Sequence, residues 1–208
     1  MEDHVVPKTF KTLVKKCDRK FAKVRDIPVH GFVPSHYFSK VFKAYTKLWK
    51  FQQQNRAKLI DSGLQRWEIG EIASRIGQLY YLQYTRTSEA RFLIESYIFY
   101  EAILNRSYFD GSHCQVVKDR GLRFKELRFY ARFLQVSLIL NRWEIVQLLL
   151  DRFKALVDDS NASFGVIFFI FGFVSTFSPA LRIITILILN MQEIVTVDLQ
   201  VHSSFWRC

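Results

Sequence analysis

Apolar residues recur along the front of the chain at intervals of three and four, the spacing that gathers side chains on one face of a helix. Phe10, Leu13, Val14, Cys17, Phe21 and Val24 form the first such stripe, and Pro28 ends it at about Ile27. A connection from Val29 to Pro34 leads to Ser35, which predicts the N-cap of a long helix whose stripe is Phe38, Val41, Phe42, Tyr45, Leu48 and Trp49. Its later turns, Gln52 to Lys58, read as solvated.

Asp61, Ser62 and Gly63 predict a break, after which Ile69, Ile72, Ala73, Ile76, Leu79 and Tyr80 repeat at helical spacing. The next helix starts near Thr87 or Ser88 as cap. It is apolar on two faces, with Phe92, Phe99 and Ile103 on one and Leu93, Tyr97, Tyr100 and Leu104 on the other, as a helix between two neighbours requires. Asp110, Gly111 and Ser112 bring turn chemistry to a loop from Ser107 to Arg120. Leu127, Tyr130, Ala131, Leu134 and Leu138 then predict one more interior helix, and Ile145, Val146, Leu149, Phe153 and Leu156 another, with Asn141 and Arg142 at the turn between them. The fold class expected is all-α, built of antiparallel helical hairpins. Ile76, Gly77 and Tyr80 imitate a tetratricopeptide helix, but the stretch Tyr81 to Ser96 reads as too long for that repeat's short turn, so the likeness is a loose one.

Beyond Asp159 the pattern changes. No charge occurs for 22 residues up to Arg182, and Phe164 to Val174 is dominated by Phe and Ile. That run approaches the roughly 20-residue apolar length of a membrane span. Pro179 and the weak Lys/Arg flanking count against a span, and a translated non-coding or alternative terminus is the competing reading. Three regions are therefore expected: 1–9, a flexible N-terminus; 10–159, a helical domain; and 160–208, a hydrophobic tail outside the helical core, either aberrant or membrane-inserting.

Composition adds a sign to this picture. Of 208 residues, 30 are Lys or Arg and 19 are Asp or Glu, a net charge of +11. Since Arg182, Arg207, Glu193 and Asp198 cancel in the tail, the whole excess belongs to the front 159 residues. Such a surface attracts phosphates, acidic protein segments or anionic membranes without choosing among them. Three cysteines far apart, Cys17, Cys114 and Cys208, form no disulfide framework, and the opening Met1-Glu2-Asp3-His4 is not the basic start of a signal peptide.

Searches for chemistry return little. Gly63, Gly70 and Gly77 make no phosphate-cradling loop. His113 and Cys114 lack a second ligand pair at zinc spacing, so no metal and no cofactor are expected. Glu68 and Glu71, or Glu95 and Glu101, make no convincing acid and base, since the first pair sits in the opening turns of a helix where carboxylates complement the macrodipole. No catalytic site is expected, and the chain reads as a binding protein, not an enzyme.

The basic residues say more. Between Lys8 and Arg25, eight positive charges fall within 18 residues, opposed only by Asp18. Lys11, Lys15, Lys16, Lys20 and Lys23 on this helix are the candidate partner-binding face; plain solvation behind a docked apolar face is the competing reading. A second cluster comprises Lys118, Arg120, Arg123, Lys125, Arg128 and Arg132. Lysines without interleaved aromatics suit acidic partners or phosphates, and neither sequence-specific DNA readout nor single-strand stacking is expected. Most aromatics, Trp49, Tyr80, Tyr100 and Phe129 among them, stand at core spacing.

Two long runs carry a resemblance that periodicity does not supply: Ala44-Tyr45-Thr46-Lys47-Leu48-Trp49-Lys50-Phe51-Gln52-Gln53-Gln54, and Arg66-Trp67-Glu68-Ile69-Gly70-Glu71-Ile72-Ala73-Ser74-Arg75-Ile76-Gly77-Gln78-Leu79-Tyr80-Tyr81. With Arg86-Thr87-Ser88-Glu89, Tyr100-Glu101-Ala102-Ile103 and Leu127 to Phe133 following in order, the stretch from Phe10 to Asp159 resembles the N-terminal portion of the SCAI family, named for suppression of cancer cell invasion. The resemblance implies a nuclear transcriptional cofactor, a co-repressor that contacts other transcription regulators such as myocardin-related factors, here in a truncated form. It carries no catalytic residues over. The alternative is a membrane-associated helical adaptor anchored by residues 164–189.

Overall fold

The computed structural model describes residues 5–25, 35–109 and 120–164. Among these the chain is all-α: helices take up 90% of them and no strand occurs. The helices are α1 (Val5–Arg25), α2 (Ser35–Gln54), α3 (Arg56–Asp61), α4 (Arg66–Thr87), α5 (Ala90–Asn105), α6 (Arg120–Ile139) and α7 (Trp143–Phe164). The chain divides into two compact units, Met1–Arg152 and Phe153–Cys208. Of the second, the helical stretch from Phe153 is described, with Phe153 and Leu156 buried.

The predicted stripes are the buried ones. Phe10, Cys17, Phe21 and Val24 of α1, Phe38, Val41, Tyr45 and Leu48 of α2, Leu59 of α3 and Ile72, Ile76 and Leu79 of α4 make one core cluster. Each large aliphatic side chain buried there contributes about 1.5–3 kcal/mol relative to exposure. Helix α1 starts at Val5, ahead of the expected Phe10, because Val6 also packs on this cluster. Residues 5–9 are thus helical where a flexible N-terminus was expected.

Helix α2 ends at Gln54. Asn55 follows, its side chain donating to the Phe51 carbonyl at 2.9 Å, and α3 resumes the helical course. The expected solvated stretch Gln52 to Lys58 is corrected at Gln52, which is buried, since its register continues the stripe of Tyr45 and Leu48. Gly63 turns the chain at φ +93, as the break predicts. Helix α4 then starts with the Gln65 N–H donating to Glu68 Oε2 at 2.9 Å, a capping use for a carboxylate that sequence reasoning assigned to the macrodipole.

Helix α4 is the central element. It lies antiparallel to α2, with Phe42 against Tyr80 and Arg86 over the ring of Phe38. It is also antiparallel to α5, with Ser96 donating to the Gly77 carbonyl at 2.8 Å and Gly70 closely approached by Tyr108. The stretch Tyr81 to Ser96, expected to be too long for a tight connection, is helix on both sides of a link consisting of Ser88 and Glu89. Ser88 is not the cap of α5: it adopts the left-handed conformation (φ 55, ψ 18) and closes α4 by donating its N–H to the Tyr84 carbonyl. The tetratricopeptide likeness gains no support.

Helix α6 starts at Arg120, a turn and more ahead of Leu127, the first residue of the expected stripe, and buries Leu122, Leu127, Phe129, Tyr130, Phe133 and Leu134. It runs antiparallel to α5, its Phe129 and Phe133 meeting Tyr100 and its Phe133 meeting Tyr97. It joins α4 where Gln135 Nε2 donates to the Tyr81 hydroxyl at 2.7 Å. Asn141, at φ 56, turns the chain into α7, as predicted. Among the described residues no helix is long and apolar enough to cross a membrane. Residues 165–208, and with them most of the expected tail, lie outside the described residues, as do His113, Cys114 and Lys118.

Candidate partner-binding surface

The candidate lysines fall on α1 with the apolar stripe turned inward. Lys11, Lys15, Lys16 and Lys23 are exposed and Lys20 is half-buried. None of the five forms an ion pair among the described residues. At roughly 100° per residue, Lys11, Lys15, Asp18 and Arg25 fall on one flank of the buried stripe, and Lys16, Lys20 and Lys23 on the other. The structure therefore does not bring the five together as one patch.

Asp18, the acid that opposed this run, is spent. Its carboxylate accepts from Arg75 Nη1 of α4, and Arg75 Nε donates to Glu71 Oε1 one helical turn away at 3.1 Å. Arg128 and Arg132 of α6, both half-buried and one turn apart, lie near enough to act on the charge of Arg75. Burial and the proximity of these two guanidiniums push the Arg75 pKa down to about 10, so it remains charged at neutral pH. The pKa of Arg132 is lowered too, first by burial and then by Arg128 and, from α1, by Arg25, against the opposing pull of the Tyr100 and Glu71 side chains. Arg75 thus links Asp18 of α1 to Glu71 of its own helix, with Arg128 and Arg132 of α6 near enough to act on its charge.

The second sequence cluster is dispersed by the fold. Arg123 is buried, pairing with Glu126 at 3.2 Å, and has no part in a surface. Lys125 stacks over the Trp67 ring at 4.0 Å. Of its described members, Arg128 and Arg132 act on the charge of Arg75. Sequence reasoning grouped these arginines by proximity along the chain and missed Arg75, which it placed within a family-like run without a role. The signal available was the i, i+4 spacing of Glu71 with Arg75 and of Arg128 with Arg132.

A second basic feature was also missed. The outer side of α2 carries a groove of about 520 Å³ in which Phe42 and Phe51 are flanked by Lys43, Lys47 and Lys50. Cys17, by contrast, is a free cysteine buried in the core, its thiol pushed up to about 11 by desolvation, against the opposing pull of Lys20, Arg75 and Lys16. It is inert packing, not a nucleophile. Among the described residues no group of His, Cys, Asp or Glu could hold a metal ion.

The family model for Protein SCAI matches residues 12–166 of this sequence. The chain belongs to the SCAI family. It is 50% identical over 155 residues to the Protein SCAI homolog of Dictyostelium discoideum, and 46% identical over 157 residues to Protein SCAI of Mus musculus and of Homo sapiens. These stretches cover 73–74% of this chain but only 20% of the Dictyostelium protein and 25% of the mammalian ones. The chain thus spans a fifth to a quarter of the length of the SCAI relatives it matches. No solved structure matches it. Asp18, Glu71, Arg75, Arg128 and Arg132 all lie inside the matched range.

Proposed function

We propose that this chain is a transcriptional cofactor of the co-repressor kind, acting in the nucleus by binding other transcription regulators and not by turnover. Membership of the SCAI family carries the reading, since the family resemblance implies co-repression. The positive surface supports the manner of action. Excess charge of the helical domain is displayed on the exposed lysines of α1 and along the α2 groove, where it steers acidic protein segments toward the fold.

The test pairs recovery of partners with a transcriptional readout. The whole chain, tethered to a reporter promoter in cells, is expected to lower transcription, and a pull-down from nuclear extract is expected to recover a transcription regulator in a salt-sensitive manner. Unchanged reporter output together with no recovered regulator would sink the co-repressor reading for this chain.

A further inference from the structure

The groove of about 520 Å³ on the outer side of α2 has a regular construction. Ser39, Lys43, Lys47 and Phe51 follow one another at intervals of four, and Phe42, Thr46, Lys50 and Gln54 do the same one row over. Two adjacent rows of this spacing are neighbouring ridges of a helix surface. The furrow between them receives a ridge of a second helix, at a crossing angle of about 50°. Apart from the two half-buried phenylalanines, every residue of both rows is exposed, and the buried stripe of Phe38, Val41, Tyr45 and Leu48 lies on the other side of α2. Thr46, short and near the middle of the furrow, lets a partner backbone come close.

The charge of this face is as one-sided as its shape. Helix α2 carries Lys40, Lys43, Lys47 and Lys50 and no acidic residue along its length. Lys40 lies over the Tyr37 ring at 5.8 Å, whereas Lys43, Lys47 and Lys50 form no ion pair among the described residues. Like charges three and four residues apart repel one another, so the helix by itself gains nothing from them.

Shape and charge together select the occupant. An extended peptide docks by joining a sheet edge, and no strand occurs among the described residues. A single-stranded nucleic acid needs free aromatic faces, but the Phe42 ring already packs against Tyr80 at 4.7 Å. A lipid surface takes a helix whose apolar residues protrude with the cations at the margins. Here the order is reversed, because Lys43, Thr46 and Lys50 stand at the centre of the exposed face and Phe42 and Phe51 at opposite ends of the furrow. The two rings are about 14 Å apart along the helix axis, a span of two to three turns.

We propose that this face of α2 is a docking groove for one amphipathic, acidic helix of a protein partner. Apolar side chains repeating every four residues on that helix lie in the furrow and reach Phe42 and Phe51 at its ends, while carboxylates beside them meet Lys43, Lys47 and Lys50. The proposal deepens the partner-binding reading above and rests on it for the biological partner, but not for the chemistry of the groove.

The experiment is fluorescence anisotropy with the whole chain and a fluorescein-labelled peptide of four Glu-Leu-Gln-Ala units, which sets leucine at every fourth position. Beside it run the same peptide with Gln for Glu, the acidic peptide with proline for its two central alanines, a labelled single-stranded oligonucleotide, and vesicles of phosphatidylserine and phosphatidylcholine. The acidic helical peptide should bind, and both altered peptides should bind at least about tenfold more weakly. K43E/K47E should raise the Kd about tenfold or more through charge, and T46W should do so to a similar degree by filling the furrow at unchanged charge. Both substitutions are on exposed positions, so helicity by circular dichroism should hold. K16E on α1 should move the Kd less than about threefold at 0.15 M salt. Absence of saturable binding, equal binding of the neutral or the proline peptide, or a Kd untouched by T46W overturns the groove. So does tighter binding of the oligonucleotide or the vesicles with the same dependence on Lys43 and Lys47. A silent tethered reporter beside intact peptide binding faults the co-repressor reading and leaves the groove standing; an active reporter with no peptide binding does the reverse.

Discussion

The ring of Tyr100 occupies the space that a β-carbon on Gly77 would need: its Cε1 and Cζ lie 3.1 Å from that position. The contact joins α4 to α5, and the ring cannot give way easily, since Phe129 and Phe133 of α6 pack against it and Ser96 ties α5 to the Gly77 carbonyl. G77A gains up to about 1 kcal/mol of helix propensity, but overpacking a closed core costs about 1–3 kcal/mol. The expected net is destabilisation. At Gly70 the obstacle is the Tyr108 Cβ at 2.9 Å, an atom fixed to backbone, so G70A should cost more than G77A. Urea denaturation of the two variants checks both the sign and the order; a stabilised G70A would contradict the packing described.

A different energy term governs the pair Arg123 and Glu126. Their side chains are 2% and 6% exposed, and Arg123 Nη1 donates to Glu126 Oε2 at 3.2 Å within one turn of α6. Removing one member takes from the other its oppositely charged partner at 3.2 Å, a loss that in a buried pair costs about 3–5 kcal/mol. E126A is expected to lower the midpoint of thermal unfolding sharply, whereas replacing both residues by apolar ones of similar volume should recover most of the loss. A double replacement no more stable than E126A would show that the pair contributes more than mutual neutralisation.

Hydrophobic spacing was enough to locate the long helices, because each of them buries an apolar stripe; the short α3, with Leu59 as its buried residue, went unread. The stripes of α1 and α2 became the core with few changes, and Gly63 and Asn141 turned the chain where they were expected to. Ser88 went unread because a left-handed C-cap and an N-cap favour the same small polar residues, and only the backbone tells them apart. The candidate site was less legible. A run of lysines is conspicuous in one dimension, but helical geometry divides it between two flanks, while Arg75 is distant in sequence from Arg128 and Arg132 and feels their charge only once the chain is folded. Composition could give the charge but not its convergence.

The buried thiol of Cys17 predicts a pH dependence of stability. Its folded pKa of about 11 stands above the ordinary 9.0, because desolvation favours the neutral thiol. The contribution is therefore fully present below pH 9.0 and is lost as pH climbs toward 11, when the unfolded chain ionises first. Over that window the loss amounts to about 2–3 kcal/mol. Burial raises the pKa of neighbouring Tyr45 as well, so the alkaline decline will not vanish in a variant lacking the thiol. Stability measured by urea at stepped pH should fall less steeply in C17A than in the parent chain between these limits, and the native thiol should resist iodoacetamide at pH 8 until denaturant is added. Rapid alkylation of Cys17 itself, told apart from Cys114 and Cys208 by peptide mass spectrometry, would place it nearer the surface than the fold has it.

The division of the α1 lysines gives the last prediction. If an acidic segment lies along the flank that carries Asp18 and Arg25, charge reversal at Lys11 and Lys15 acts on the docked partner, whereas reversal at Lys16 and Lys23 acts only on the long-range field. Both double variants keep every buried residue of α1, so helicity should hold. Each changes the net charge by the same amount, so any difference between them reports position. K11E/K15E is expected to raise the Kd for an acidic peptide of repeating Glu-Leu-Asp-Ser units by about tenfold or more, through faster release as well as slower capture. K16E/K23E should slow association by a few-fold at low salt and lose that effect as the ionic strength approaches 0.15 M, where screening acts beyond about 8 Å. Stopped-flow anisotropy at two salt concentrations separates these cases. Identical kinetics for the two variants would mean that the partner senses the charge of the whole helix and not the one flank that carries Asp18.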